Sequence, residues 1–166
     1  IPLAWYSGFA FFKQNKPLEA KSEFLNAYTL NPYHIHVLNN LASTYAILDE
    51  NDSAIFYYEK AVIIAPNFDE SWFNMSAVYF NMKEYELAYE SLKKVNLFTT
   101  DTRYKPFVKT IVKNLLMEEL TEYSDSANFL LPEDEEWYFE VHKLLRNEHK
   151  LLKNIIFEKQ ILSPIQ

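Results

Sequence analysis

One feature constrains the fold more than any other: the chain resembles itself at an interval of 34 residues. The segment LNNLASTYAILDENDSAIFYYEKAVIIAP (38–66) lies without a gap over WFNMSAVYFNMKEYELAYESLKKVNLFTT (72–100). Leu41 meets Met75, Ala42 meets Ser76, Tyr45 meets Tyr79, Ala54 meets Ala88 and Tyr58 meets Leu92. One interval earlier stand Gly8, Phe11, Ala20, Phe24, Ala27 and Pro32, the last matching Pro66. The small residues let two helices approach closely, and the aromatic residues fill the space beside them. Ala20, Phe24 and Ala27 follow i, i+4, i+7 spacing, which puts them on one helical face. Pro32 and Pro66 end helices, because proline restricts the residue before it and lacks a donor. Pro17 suits a helix start.

These signals predict helices over 2–14, 17–30, 35–48, 52–64, 69–82 and 85–98, joined within pairs by turns such as Asn15-Lys16-Pro17. The remaining chain breaks the period. Phe107, Ile111, Leu115, Leu116 and Leu120 predict a helix over 105–123, and Ser124–Asn128 reads as a loop. A further helix is expected from Glu133 to about Gln160, with acids in its first turn and an apolar stripe of Trp137, Val141, Leu144, Leu145, Leu151 and Leu152. A single glycine argues against hairpins, phosphate loops and other structures that need positive φ.

The repeated pattern resembles the tetratricopeptide repeat (TPR), with its W-x2-L-G-x2-Y, A-x3-F, A and P positions. The resemblance covers three units, 1–34, 35–68 and 69–102, and departs at Ala4, Ser7, Val95 and Thr100. It implies an all-α, right-handed superhelix of three helix pairs, with residues 103–166 as a C-terminal helical cap. It also implies a groove lined by the first helix of each pair. The first contributes Trp5 and Phe9; the second His36, Asn39, Asn40 and Ser43; the third Glu70, Phe73, Asn74, Ala77 and Asn81. Asn40 and Asn74 recur at the repeat interval, with Asn39 beside them and Tyr6 where the series would continue. An amide both donates and accepts, so such a ladder suits the backbone of an extended peptide. The bland reading is that these amides cap turns or bond to a neighbouring helix. Phe9 and Phe73 fit the groove or the seam between units equally well, whereas Phe12 and Phe80 fit the core. Family arrays that grip acidic chaperone C-termini use a Lys/Arg clamp. The matching places here hold Trp5, Phe9, Glu70 and Asn74, with Asn40 the one agreement, so the pattern does not fit that activity.

No nucleophile–base pair, phosphate loop or metalloprotease motif is present, so neither catalysis nor a cofactor is expected. His34, His36, His142 and His149 lack the ligand set of a metal site and read as surface histidines. The run Glu133–Glu136 reads as a solvated first turn. A net charge of −7 with no basic stripe argues against nucleic acid as a partner. No apolar run reaches the roughly 20 residues of a membrane span. The absence of cysteine leaves cytoplasm and periplasm equally open, and nothing bears on oligomeric state. The expected function is therefore a non-catalytic scaffold that binds a protein or peptide. A second expectation is an accessory domain: phrases such as LNNLASTY resemble the soluble repeat tails of bacterial O-antigen ligases and polymerases, and a start at Ile1 would suit a fragment tethered to a membrane enzyme. A third is a carbohydrate module stacking sugars on Trp5, Phe9 and Phe73.

Overall fold

The computed structural model describes residues 2–123 and 131–147. The regular structure of the described residues is helical: α1 (Leu3–Lys13), α2 (Pro17–Leu30), α3 (Ile35–Ile47), α4 (Asn51–Ile64), α5 (Asp69–Asn81), α6 (Tyr85–Leu92), α7 (Tyr104–Tyr123) and α8 (Glu135–Asn147). They fall into two compact units that divide between Leu97 and Phe98.

In the first unit α1 packs on α2, α3 on α4 and α5 on α6, and α2 and α4 each pack on the helix that opens the next pair. The repeated small residues sit where the two helices of a pair meet. Gly8, Ala42 and Ser76 are buried, as are Ala20, Ala54 and Ala88. Phe24, Tyr58 and Leu92 fill the equivalent place in each pair and are fully or almost fully enclosed. At Ser76 the small residue also donates its hydroxyl to the Ala88 carbonyl at 2.7 Å, so the third pair is pinned across its seam.

The first helix of each pair ends in the same way. Asn15, Asp49 and Lys83 adopt φ of 57°, 61° and 65°, each one repeat interval from the next. Around each, the following N–H reaches back five residues: Lys16 donates to the Phe11 carbonyl, Glu50 to Tyr45 and Glu84 to Tyr79. Asn15, Asp49 and Lys83 themselves donate to Phe12, Ala46 and Phe80. This is the Schellman closure. The scarcity of glycine therefore does not exclude positive φ here. Asn and Asp tolerate the left-handed region, whereas Lys83 occupies it at a cost. Lys83→Gly is expected to stabilise the protein by about 1 kcal/mol, measured as a raised denaturation midpoint.

The helix expected over 85–98 stops at Leu92. Lys94 donates to the Ser91 carbonyl and Val95 to that of Leu92, so the chain tightens into i→i+3 turns there.

In the second unit α7 packs against α8. The apolar stripe of α8 differs from the expected one. Tyr138, Val141, His142 and Leu145 are buried, while Leu144 is 45% exposed, because the i, i+3, i+4, i+7 face runs through His142. His142 is thus a core residue and not a surface one, with Nε2 2.8 Å from the Tyr104 hydroxyl. His149, the loop at 124–128 and the expected helix beyond residue 147 lie outside the described residues.

Glu133, just before α8, accepts from Lys113 at 2.6 Å and Lys109 at 3.0 Å on α7. Those hydrogen bonds, reinforced by the two positive charges, hold its carboxyl down at about 2 against an ordinary 4.5. A carboxyl depressed on folding stabilises above its unfolded value and loses that contribution as pH falls toward the folded one. Side-chain NMR should therefore show Glu133 titrating near pH 2, with both ion pairs intact at pH 4.

Candidate inner-face binding site

The backbones of α1 and α3, and of α3 and α5, approach one another. On the opposite side α2 and α4 meet through long side chains: Tyr28 is edge-on to Tyr57 at 5.4 Å, and Lys60 donates to the Tyr28 hydroxyl at 2.8 Å. The first helices thus lie closer to one another than α2 does to α4, and the side shared by α1, α3 and α5 is the candidate inner face.

Asn39 organises this face. It is 2% exposed, so it lies beneath the surface, between α3 and α5. Its side-chain oxygen accepts from the Ser71 hydroxyl at 2.9 Å and from Asn74 Nδ2 at 3.4 Å. Its own Nδ2 faces Asn40 Oδ1 at 3.5 Å, the long limit of a hydrogen bond. The equivalent places in the other units hold Trp5 and Phe73. A polar residue at a position otherwise aromatic, one repeat from its partners, was the available signal for a buried bridge.

That bridge fixes the two half-buried amides. Asn74 engages its nitrogen internally and Asn40 its oxygen. Among the described residues the Asn74 oxygen and the Asn40 nitrogen have no hydrogen-bond partner, and a peptide group can match such a combination. Beside them, Ser43 donates to the Asn39 backbone carbonyl at 2.9 Å, and its oxygen lies 2.8 Å from the Tyr58 hydroxyl. Burial pushes the Tyr58 phenol far above its ordinary range, the Ser43 bond partly offsets this, and the Glu70 charge adds to the rise. Tyr58 therefore keeps its proton.

The other expected residues divide. Glu70 and Asn81 are exposed and Ala77 is half-buried on α5; His36 is exposed on α3 and meets the Phe68 ring edge-on at 5.3 Å. Phe73 is only 8% exposed and belongs to the core under the face. Trp5 is half-buried and stacks on Phe9 at 5.3 Å with an interplanar angle of 11°. With Phe73 buried and one face of Trp5 covered by Phe9, the three aromatics do not form an open stacking platform. Tyr6, outside the groove residues expected from the sequence, is 55% exposed at the place equivalent to Asn40 and Asn74. Sequence reasoning missed Ser71, the buried donor to Asn39. Burial, followed by the neighbouring His36, lowers the pKa of His34, favouring its neutral form. No helix among the described residues is long and apolar enough to cross a membrane.

Residues 35–68 and 69–96 match the family model described as tetratricopeptide repeat. Among curated proteins, Hsp70-Hsp90 organizing protein 3 of Arabidopsis thaliana is 30% identical over 87 residues, 52% of this chain and 16% of the relative. The Hsp70-Hsp90 organizing protein of Triticum aestivum is 34% identical over 84 residues, 51% of this chain and 14% of the relative. The chain thus spans less than a fifth of the length of these relatives. Among solved structures, the first TPR of Spaghetti (RPAP3) bound to the HSP90 peptide SRMEEVD superposes with a TM-score of 0.64 at 22% identity, covering 68% of this chain and 93% of that one. The Sgt2 TPR domain from Aspergillus fumigatus gives 0.66 at 18% identity, covering 79% and 87%. The Yersinia enterocolitica chaperone SycD with a YopD peptide gives 0.60 at 16% identity, covering 72% and 92%. At these identities the structures speak for the fold. The likeness to O-antigen ligase tails gains no support from these matches. Period, hairpin closures and family match agree, and residues 35–68 and 69–96 are two consecutive tetratricopeptide repeats.

Proposed function

We propose that the first unit is a non-catalytic scaffold that holds an extended segment of a partner protein along α1, α3 and α5. The observation that carries this reading is the amide pair, in which Asn40 engages its oxygen and Asn74 its nitrogen internally, leaving the other atom of each for a ligand. An extended peptide offers a carbonyl and an N–H that these groups can satisfy without reading its side chains. Each such bond contributes about 1 kcal/mol, so affinity also needs apolar anchoring. Tyr6, Phe9 and Ile47 are exposed apolar side chains on the inner helices α1 and α3 and can supply it. Two fold neighbours were solved with peptides bound, which agrees with this use of the architecture.

The test is selection from a displayed library of random peptides. The wild-type protein should enrich a family of sequences, and Asn40→Ala/Asn74→Ala should bind those sequences about tenfold less well with unchanged helicity. Equal binding by the double variant would remove the amide pair from the site.

A further inference from the structure

We propose that the inner face selects peptide segments bearing a lysine or arginine, whose cationic head is received by the Glu70 carboxylate and the Asn74 side-chain oxygen. This rests on the peptide-groove reading and adds the polarity of the ligand. Glu70 and Asn74 are four residues apart on α5 and so share a face, one turn from each other. Glu70 is exposed, and among the described residues no lysine or arginine forms an ion pair with it. Asn74 is not free to choose its orientation, because Asn39 holds its nitrogen. A carboxylate with no ion pair and an amide whose nitrogen is already engaged therefore lie one turn apart on α5. Ammonium and guanidinium groups have only donors to offer and fit such a pair. A carboxylate would meet like charge.

The wider charge distribution agrees. Within α1, α3 and α5 the formal charges are Lys13, Asp69 and Glu70. The Lys13 ammonium lies 5.3 Å from the centre of the Phe9 ring, at the far end of α1. Asp69 and Glu70 sit together in the first turn of α5. The helix terminus there carries about half a positive charge, which two carboxylates outweigh. The polarity is the reverse of that suited to SRMEEVD, the acidic peptide bound by the RPAP3 repeat unit of like fold.

The experiment extends the library selection to Glu70→Gln and Glu70→Lys, with circular dichroism to confirm that both fold. Peptides enriched on the wild type should share a lysine or arginine at one position. A synthetic copy of the best peptide should lose about threefold in affinity on Glu70→Gln and about tenfold on Glu70→Lys. Changing its basic residue to glutamate should weaken wild-type binding, and Glu70→Lys should restore part of it. Enrichment of acidic or charge-neutral peptides, or affinity indifferent to Glu70→Lys, would overturn the inference while leaving the groove reading in place. No enrichment on the wild type would reject both.

Discussion

Gly8→Ala is expected to destabilise the protein by about 2 kcal/mol, although alanine is the better helix former by about 1 kcal/mol. A β-carbon on Gly8 would stand 2.7 and 2.8 Å from two ring carbons of Phe24 and 3.1 Å from a third. Phe24 has no exposed surface, so its ring cannot swing into solvent. Overpacking of about 3 kcal/mol, the upper end of what one extra carbon costs in a filled core, exceeds the gain in propensity. Urea denaturation of Gly8→Ala alone and with Phe24→Leu measures this. The leucine should recover about half the loss, because the third pair already combines a larger residue, Ser76, with Leu92 at the matching places. Unchanged stability in the single variant would mean that the helices part more easily than the packing implies.

Asn39→Ala is expected to lower stability by about 2–3 kcal/mol and peptide affinity by about tenfold, with Asn40 and Asn74 untouched. The substitution strands the buried Ser71 hydroxyl, which loses its acceptor, and it releases the amide of Asn74 to rotate. Ser71→Ala in the Asn39→Ala background should cost little more, because the stranded hydroxyl is then gone. A double-mutant cycle should show coupling of about 1 kcal/mol or more. Full additivity would show that the two side chains do not act together.

The helices of the first unit were legible because their signals are local and repeated. Gly8, Ala42 and Ser76 mark where helices touch whatever lies further along the chain. The positions that escaped are decided by neighbours distant in sequence. Whether Asn39 faces a ligand or Ser71 depends on a contact across 32 residues, which no spacing within α3 reveals. Phe73 was ambiguous for the same reason: an aromatic at that register fits a groove or a seam. His142 escaped because its partner, Tyr104, lies on another helix, and a lone histidine carries no sign of such a bond. The end of α6 was missed because nothing like Pro32 or Pro66 marks it. Lys83 escaped because lysine is no indicator of left-handed backbone. Only its alignment with Asn15 and Asp49 gives it away.

The ties between successive pairs lie on different edges of the array. Between the first and second pairs, Lys21 with Glu50 and Lys60 with Tyr28 join the outer helices, while the Trp5 indole nitrogen on the inner side is buried without a partner. Between the second and third pairs, Asn39, Ser71 and Asn74 join the inner helices. The first two pairs are thus tied by polar contacts along the back of the array, and the second and third along its front. Polar restraint of the inner face is therefore concentrated between α3 and α5, whereas α1 meets that face through the apolar packing of Trp5, Phe11 and Phe12.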